Sequence, residues 1–167
     1  SPARGSKEED VMAQAAPMPT PLRIAKGTRT LDVTLRSSLP HGREGKSDLR
    51  PGTVQGMWLS QKPLREVSRT LYSRISWWLP PVIWPHEEAS WSRLVSMALR
   101  DGARHFVCNA PWQLAFFSER KGLSLTAGPF CNVANAPALG VLARAGFHQA
   151  IISPELGEED ILSLPAQ

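Results

Sequence analysis

The stretch CNVANAPALGVLARAGFHQAIISPEL, residues 131–156, holds a loop, a helix, a strand and the start of a further helix. Asn135 can cap the helix with its side-chain oxygen, and Pro137 falls in the first turn, where a backbone N–H has no helical partner anyway. Gly146 can end the helix in a left-handed conformation that other residues resist. The apolar run Phe147–Ile152 then supplies a strand. This order is typical of a repeating β/α protein.

The same alternation of strand and helix patterns runs through the chain from residue 54. The five predicted strands lie in VQGMWLS, SWWLPPVIW, RHFVCN, LSLTAG and FHQAII, each followed by a helical pattern after a short connection. Such alternation predicts an α/β fold with a parallel sheet and helices packed outside it. A closed (β/α) barrel needs eight units, so residues 54–167 are predicted to form a partial TIM-like barrel with parallel strands.

Apolar spacing places the helices between these strands. Leu64, Val67, Leu71 and Ile75 fall on one face of a helix after the first strand. HEEASWSRLVSMALRDG predicts a second helix with Trp91, Leu94, Val95, Ala98 and Leu99 facing inward and Gly102 past its end. APWQLAFFSERKG predicts a short third helix. The prolines of SWWLPPVIW place that stretch at a sheet edge or divide it.

The chain before residue 54 has a different texture. Residues 1–20 contain Gly, Ser, Glu, Ala and prolines without an apolar period, which predicts a disordered arm or an expression remnant. Residues 21–53 are predicted to form a small β element, with two strands joined by a turn in residues 22–38, followed by a mobile loop.

Composition limits the class of protein. The chain has 167 residues, of which 42% are hydrophobic and 20% charged, as in one soluble globular domain. No apolar run approaches the roughly 20 residues that cross a bilayer, so we expect a cytoplasmic protein without a membrane partner. Residues 1–76 carry thirteen Lys/Arg against seven Asp/Glu, but these charges are scattered with little aromatic interleaving, which favours a solvated face over a dedicated nucleic-acid groove.

Polar residues follow the predicted strands, where the loops of a parallel β/α fold bind ligands. They are His86, Glu87 and Glu88; Asn109, Trp112 and Gln113; Cys131, Asn132 and Asn135; and Glu155. We select Asn132, Asn135, Glu155, His86 and Asn109 as candidate substrate-binding residues. Each also has a structural explanation, because asparagines cap helices and carboxylates are favoured in first helical turns by about 0.3–1 kcal/mol.

Catalytic residues are not specified by the sequence, and no metal site is predicted. His105 and Cys108 are three residues apart on one strand, so their side chains point to opposite faces. Cys108 and Cys131 are too few for a disulfide framework or for the four thiolates of an iron–sulfur cluster, and both are expected to be reduced, buried thiols. A cysteine nucleophile needs a base such as His86 nearby. Neither a Walker loop nor a dinucleotide fingerprint is present.

The segment LTAGPFCNVANAPALGVLARAGFHQAIISPEL resembles the collagenase-like U-32 peptidase family, which has strand, Asn-Val-x-Asn, helix, Gly-Phe or Gly-Val, apolar strand and Ser-Pro-Glu-Leu in that order. The matching positions are Asn132, Val133, Asn135, Gly146, Phe147, Ser153, Pro154, Glu155 and Leu156. LPPVIW and GARHFVCNAPWQLAFF are similar to the preceding barrel strands, so the likeness covers about residues 77–164. The family's Gly- and Cys-rich stretch follows the Ser-Pro-Glu-Leu helix and does not occur before Gln167.

The resemblance implies part of a TIM-barrel protein from a bacterial or archaeal cytoplasm, with a peptidase activity whose catalytic class is unsettled. It implies a fragment that is inactive without the rest of its parent chain and carries no cofactor itself. One alternative is an enzyme that hydroxylates RNA or a ubiquinone precursor, with a four-cysteine iron–sulfur cluster downstream in the full-length protein. Another is a non-catalytic binding module, covered at its open sheet edge by a partner or by a second copy in a homodimer.

Overall fold

The computed structural model describes residues 33–36, 54–153 and 155–156. Six strands form one sheet in which every neighbouring pair is parallel and the spatial order follows the chain. The strands are β1 (Val33–Arg36), β2 (Val54–Trp58), β3 (Ile75–Trp78), β4 (His105–Cys108), β5 (Ser124–Ala127) and β6 (Gln149–Ala150). The predicted α/β class and parallel sheet are therefore confirmed for the described residues.

Helical segments connect each strand to the next from β2 to β6. The α-helices are α1 (Gln61–Glu66), α2 (Glu88–Arg100) and α3 (Ala136–Ala145), and short 3-10 helices cover Arg69–Arg74, Pro85–Glu87, Pro111–Phe116 and Pro129–Cys131. The predicted third helix is thus a 3-10 helix, and β4 and β5 are connected without a full α-helix.

The segment that contains α3 folds as its local sequence predicts. Asn135 Oδ1 accepts a hydrogen bond from the Ala138 N–H at 2.8 Å, and Pro137 lies in the first turn. Gly146 ends the helix with a φ of +116°, in the left-handed region that favours glycine. The strand after it is shorter than predicted, because β6 contains only two residues and Ile152 adds a single parallel bridge to Val133.

The prediction of one helical face from Leu64 to Ile75 was wrong. Helix α1 ends at Glu66, Val67 has an extended ψ of 134°, a 3-10 helix follows, and Ile75 is the first residue of β3. The break lets the buried Tyr72 donate its hydroxyl to the Leu64 carbonyl. In a continuous helix that carbonyl would accept the N–H four residues later.

The stretch SWWLPPVIW is divided by its prolines, which is one of the two predicted outcomes. Strand β3 ends at Trp78, two residues before Pro80, and the rest of the stretch forms a loop. A proline has no N–H for the sheet, so a strand between two neighbours stops before it.

The two faces of the sheet have different neighbours. Alternate strand residues pack with the helices into one hydrophobic core; they include Met57, Ile75, Trp77, Phe106 and Leu125, with Val95, Ala98 and Leu142 from α2 and α3. The intervening residues Trp58, Trp78 and Val107 lie on the opposite face and are not part of that core, although Trp78 and Val107 are buried. Crossovers of one hand between strands in chain order place helices on a single face in this way.

The N-terminal predictions fall mainly outside the described residues. Of residues 1–53 only β1 is described, and it is hydrogen-bonded in parallel to β2 as the first strand of the main sheet. The predicted disordered arm, the two strands joined by a turn and the mobile loop otherwise lie outside the described part, as does the helix predicted after Ser153. None of the described helices has the length and apolar character needed to cross a membrane.

Candidate functional site

A buried pair of amide side chains joins the loops that follow β3 and β4. Asn109 comes directly after β4, and its Nδ2 donates to the Leu79 carbonyl at 2.7 Å. The Asn109 backbone N–H donates to Gln113 Oε1 at 2.8 Å, and Gln113 Nε2 donates to the Pro80 carbonyl at 2.7 Å. Both side chains are almost fully buried, at 2% and 0% exposed. The loops after β3 and β4 are therefore held at a fixed separation.

The bond to Leu79 also orients the Asn109 amide. A carbonyl can only accept, so the NH₂ group must face Leu79 and Oδ1 must face the other way. Oδ1 lies against Gly128, the first residue after β5, and a Cβ added there would be 2.0 Å from it. This buried oxygen has no hydrogen-bond partner among the residues that the structure describes. Asn109 thus packs between the ends of three strands.

Three exposed aromatic residues lie on these same three loops. Trp84 follows β3, Trp112 follows β4 and Phe130 follows β5, and they are 60%, 44% and 62% exposed. We call these three residues the aromatic edge. Neighbouring strands of a sheet are about 4.8 Å apart, so the loops that carry the three rings are adjacent. Large exposed apolar side chains at one place on a surface commonly mark a binding site.

The segments directly around the three rings contain no charged residues, although the same loops do. Residues 79–85, 109–117 and 128–135 contain no Lys, Arg, Asp, Glu or His, whereas His86, Glu87 and Glu119–Lys121 lie further along these loops and the Glu87 carboxylate accepts the Trp84 N–H at 3.1 Å. The polar groups of the three uncharged segments are the amides of Asn109, Gln113, Asn132 and Asn135 together with backbone groups and the Cys131 thiol. This surface therefore suits an uncharged ligand that offers apolar faces and hydrogen-bonding groups.

The five candidate residues selected from the sequence all follow strands of the sheet, but their surroundings differ. Asn109 is buried, as described above. His86 is exposed in the 3-10 helix Pro85–Glu87, and Asn132 is exposed with a φ of +49°. Asn135 is exposed, and its side-chain oxygen is occupied by the α3 cap. Glu155 is exposed, and its N–H donates to Ser153 Oγ at 3.4 Å.

No hydrogen bond or ion pair joins any two of these five residues within the described ranges. Five further residues of the site were not selected from the sequence: Trp112 and Gln113, which were noted after a predicted strand, and Trp84, Gly128 and Phe130, which were not. The signal for Gly128 was available as a Gly-Pro pair directly after an apolar strand. The exposure of Trp84 and Phe130 depends on tertiary packing, and the sequence carried no signal for it.

The two thiols lie beneath this edge and are not activated for nucleophilic attack. Cys108 is the last residue of β4, and Cys131 ends the 3-10 helix that carries Phe130. Cys131 Sγ donates to the Cys108 carbonyl at 3.3 Å. Burial raises the pKa of Cys108 to about 12 and also raises the pKa of Cys131. A catalytic cysteine has a lowered pKa, so at neutral pH both side chains are neutral thiols.

Metal-ligating side chains are dispersed in the described part of the chain. Within it, no three His, Cys, Asp or Glu side chains come close enough together to hold a metal ion.

Comparison with protein-family models found no match to this chain. No curated protein matches it, and no solved structure matches it either. The resemblance to the U-32 peptidases therefore rests on the sequence motifs alone.

Proposed function

We propose that this chain is the substrate-binding part of a U-32-type peptidase with a (β/α) barrel, and that the aromatic edge holds a peptide substrate. The observation that carries the proposal is the exposure of Trp84, Trp112 and Phe130 on the loops that follow three neighbouring strands, two of which are joined by the buried Asn109 and Gln113. The carboxyl ends of parallel strands are where β/α folds bind their ligands.

The sheet supports a barrel of this kind. Its six strands are all parallel and follow the chain order, and among the described residues the helices pack on one face only. A closed barrel of eight strands has the same two features, with the helix-free face turned inward. The inward positions of such a barrel are filled by side chains, which agrees with the burial of Trp78 and Val107 on the helix-free face.

The character of the surface supports a peptide as the ligand. An extended peptide is uncharged along its backbone, exposes hydrogen-bonding groups and presents side chains that pack against aromatic rings. Aromatic-lined, uncharged surfaces of this kind bind extended peptides in several unrelated domains. A phosphate backbone would instead require Lys or Arg, and residues 79–85, 109–117 and 128–135 around the three rings contain neither.

The chain is proposed to bind substrate rather than to cleave it alone. In the residues that the structure describes, His86 forms no hydrogen bond with either thiol, and both thiols have raised pKa values. The nucleophile or activated water of the peptidase is therefore proposed to come from the rest of the parent protein. Asn132 is exposed two residues after Phe130, and Glu155 is exposed two residues after Ser153, whose N–H donates to the Val133 carbonyl. Both are proposed to hydrogen-bond the substrate.

A non-catalytic binding module is the second candidate function. The observation that favours it is the same combination of an exposed aromatic surface with unactivated thiols. The two candidates predict the same binding by this chain and differ in cleavage by the full-length protein. The hydroxylase alternative predicts something else: a full-length protein that, prepared without oxygen, is brown and contains iron.

Binding is tested with the chain itself and a series of unlabelled gelatin-derived peptides, by isothermal titration calorimetry. Replacing Trp84, Trp112 or Phe130 by Ala should weaken binding at least about tenfold, since aromatic residues at the centre of an interface commonly contribute about 2 kcal/mol or more. The matched control is Val141→Ala, because Val141 is a similarly exposed apolar residue, at 56%, but lies on helix α3 instead of on one of the three loops. If all three aromatic variants bind like the wild type, the proposed site is wrong.

Cleavage is tested separately with fluorescent casein and gelatin. We expect no cleavage by this chain and cleavage by the full-length protein that is reduced by Glu155→Ala. If peptides bind and the full-length protein cleaves nothing under any metal condition, the binding module replaces the peptidase.

A further inference from the structure

We infer that Cys108 and Cys131 form a dithiol site that closes into an intramolecular disulfide on reaction with a small disulfide such as oxidised glutathione. This inference does not depend on the proposed peptide binding. Its basis is that Cys108 ends β4 and Cys131 lies four residues after the adjacent strand β5, with one thiol sealed in the core and the other partly exposed.

The backbone brings the two residues together. Cys108 ends β4 and is paired in register with Ala127 of β5. The Gly128 N–H then donates to the Cys108 carbonyl at 2.7 Å, and the Cys131 N–H donates to the Gly128 carbonyl at 3.0 Å, which folds the chain back over the end of β4. As a result Cys131 Sγ lies 3.3 Å from the Cys108 carbonyl oxygen. The thiol of Cys131 already contacts the residue that would be its partner.

The segment that must adjust to close the bridge is small. Cys131 belongs to the three-residue 3-10 helix Pro129–Cys131, none of whose residues is buried. A disulfide requires Cα atoms about 4.4–6.8 Å apart and a defined dihedral angle. Because Cys131 Sγ is already 3.3 Å from the Cys108 carbonyl oxygen, we expect the bridge to close by rotation of the Cys131 side chain and a shift of this helix, with β4 in place.

The different exposure of the two thiols determines which of them reacts first with the disulfide reagent. Cys108 is fully buried, whereas Cys131 is partly exposed, so only Cys131 can meet a reagent from solution. Burial raises the pKa of Cys131, so only a small fraction of it is ionised at neutral pH and the reaction is slow. This thiolate attacks one sulfur of oxidised glutathione, forms a mixed disulfide and releases one glutathione thiolate. Cys108 then loses its proton and attacks the Cys131 sulfur, releasing the second glutathione. Two protein thiols are oxidised to one disulfide, one glutathione disulfide is reduced to two thiols, and the two protons go to those thiols.

A disulfide between Cys108 and Cys131 would restrict the movement of one residue of the aromatic edge. Phe130 is the residue before Cys131, and Asn109 is the residue after Cys108. A bond between the two cysteines fastens the 3-10 helix of Phe130 to the end of β4. Oxidation therefore fixes one of the three exposed rings relative to the buried amide pair.

The test is intact-mass spectrometry of the full chain after incubation with oxidised glutathione and quenching with acid. The wild type should lose two hydrogens and retain no glutathionyl group. Cys108→Ser should accumulate one stable glutathionyl group on Cys131, because the residue that would displace it is missing. Cys131→Ser should stay unmodified, because Cys108 is sealed from the reagent.

Circular dichroism shows whether each variant is folded, and Cys108→Ala replaces Cys108→Ser if the buried hydroxyl prevents folding. Three results would overturn the inference: a stable glutathionyl adduct on the wild type, a disulfide between two chains instead of within one, or modification of Cys131→Ser as fast as that of the wild type. A wild type that does not react at all would also overturn it.

Discussion

Replacing Gly128 by Ala tests the central feature of the site, the close packing of Asn109 against the first residue after β5. The backbone of Gly128, with a φ of −76° and a ψ of 173°, suits alanine, so any penalty must come from contacts. The new Cβ would lie 2.0 Å from Asn109 Oδ1 and 3.0 Å from Val107 Cγ1. The amide oxygen must therefore move by more than an ångström.

The cost can be estimated from two contributions. Forcing a methyl group into a packed site costs about 1–3 kcal/mol. Displacing the amide also weakens the 2.7 Å bond from Asn109 Nδ2 to the Leu79 carbonyl, which contributes about 1 kcal/mol. The smaller conformational freedom of alanine in the unfolded chain offsets about 0.4–1 kcal/mol. We therefore expect Gly128→Ala to reduce the free energy of unfolding by about 1–3.5 kcal/mol.

A double-mutant cycle assigns this cost to Asn109. In an Asn109→Ala background the amide is absent, so Gly128→Ala should change the free energy of unfolding by less than about 1 kcal/mol. Urea unfolding followed by circular dichroism measures all four chains. Gly140→Ala is the matched control, because Gly140 lies within helix α3 with only Arg144 Nη1 near, at 3.5 Å, and alanine there should stabilise by about 0.5–1 kcal/mol. Equal effects of Gly128→Ala in both backgrounds would refute the packing described here.

Three further predictions concern single residues, with stability measured by urea unfolding. Asn135→Ala removes the α3 cap and should cost about 1 kcal/mol; an unchanged stability would show that the cap bond contributes nothing. Gly146→Ala should cost about 1–3 kcal/mol, because its φ is +116° and a Cβ would be 2.3 Å from Arg120 Nη1; a neutral result would contradict that geometry. Burial raises the pKa of Cys108 from 9.0 to about 12, so the unfolded chain releases this proton at a lower pH than the folded chain. The contribution of the Cys108 thiol to the free energy of unfolding is therefore fully present below about pH 9 and is lost as the pH rises towards about 12. Between these pH values the free energy of unfolding of Cys108→Ala should fall less than that of the wild type. The same alkaline decline in both proteins would argue against the shift.

The sequence predictions were accurate where neighbouring residues determine an element, and they failed where distant contacts determine it. The limits of α3 followed from Asn135, Pro137 and Gly146, whose effects act within one turn, and the structure confirms all three. The single helix predicted from Leu64 failed, because Tyr72 is buried through contacts with Trp77 and the Leu64 carbonyl that no local rule contains. The parallel sheet was predictable because alternating strand and helix patterns leave few other arrangements.

The candidate site shows why polar residues at strand ends are ambiguous in a β/α sequence. Asparagine serves equally as a helix cap and as a ligand-binding group, so sequence alone cannot separate Asn135 from Asn109. The structure separates them by the state of one oxygen atom. Asn135 Oδ1 is exposed and already accepts the Ala138 N–H, whereas Asn109 Oδ1 is buried and has no partner within the described ranges. The presence of Asn135 is explained by its role as the cap of α3. The Asn109 oxygen, buried against Gly128, is not explained by a helix, and Asn109 instead fixes the loops after β3 and β4, on which Trp84 and Trp112 lie.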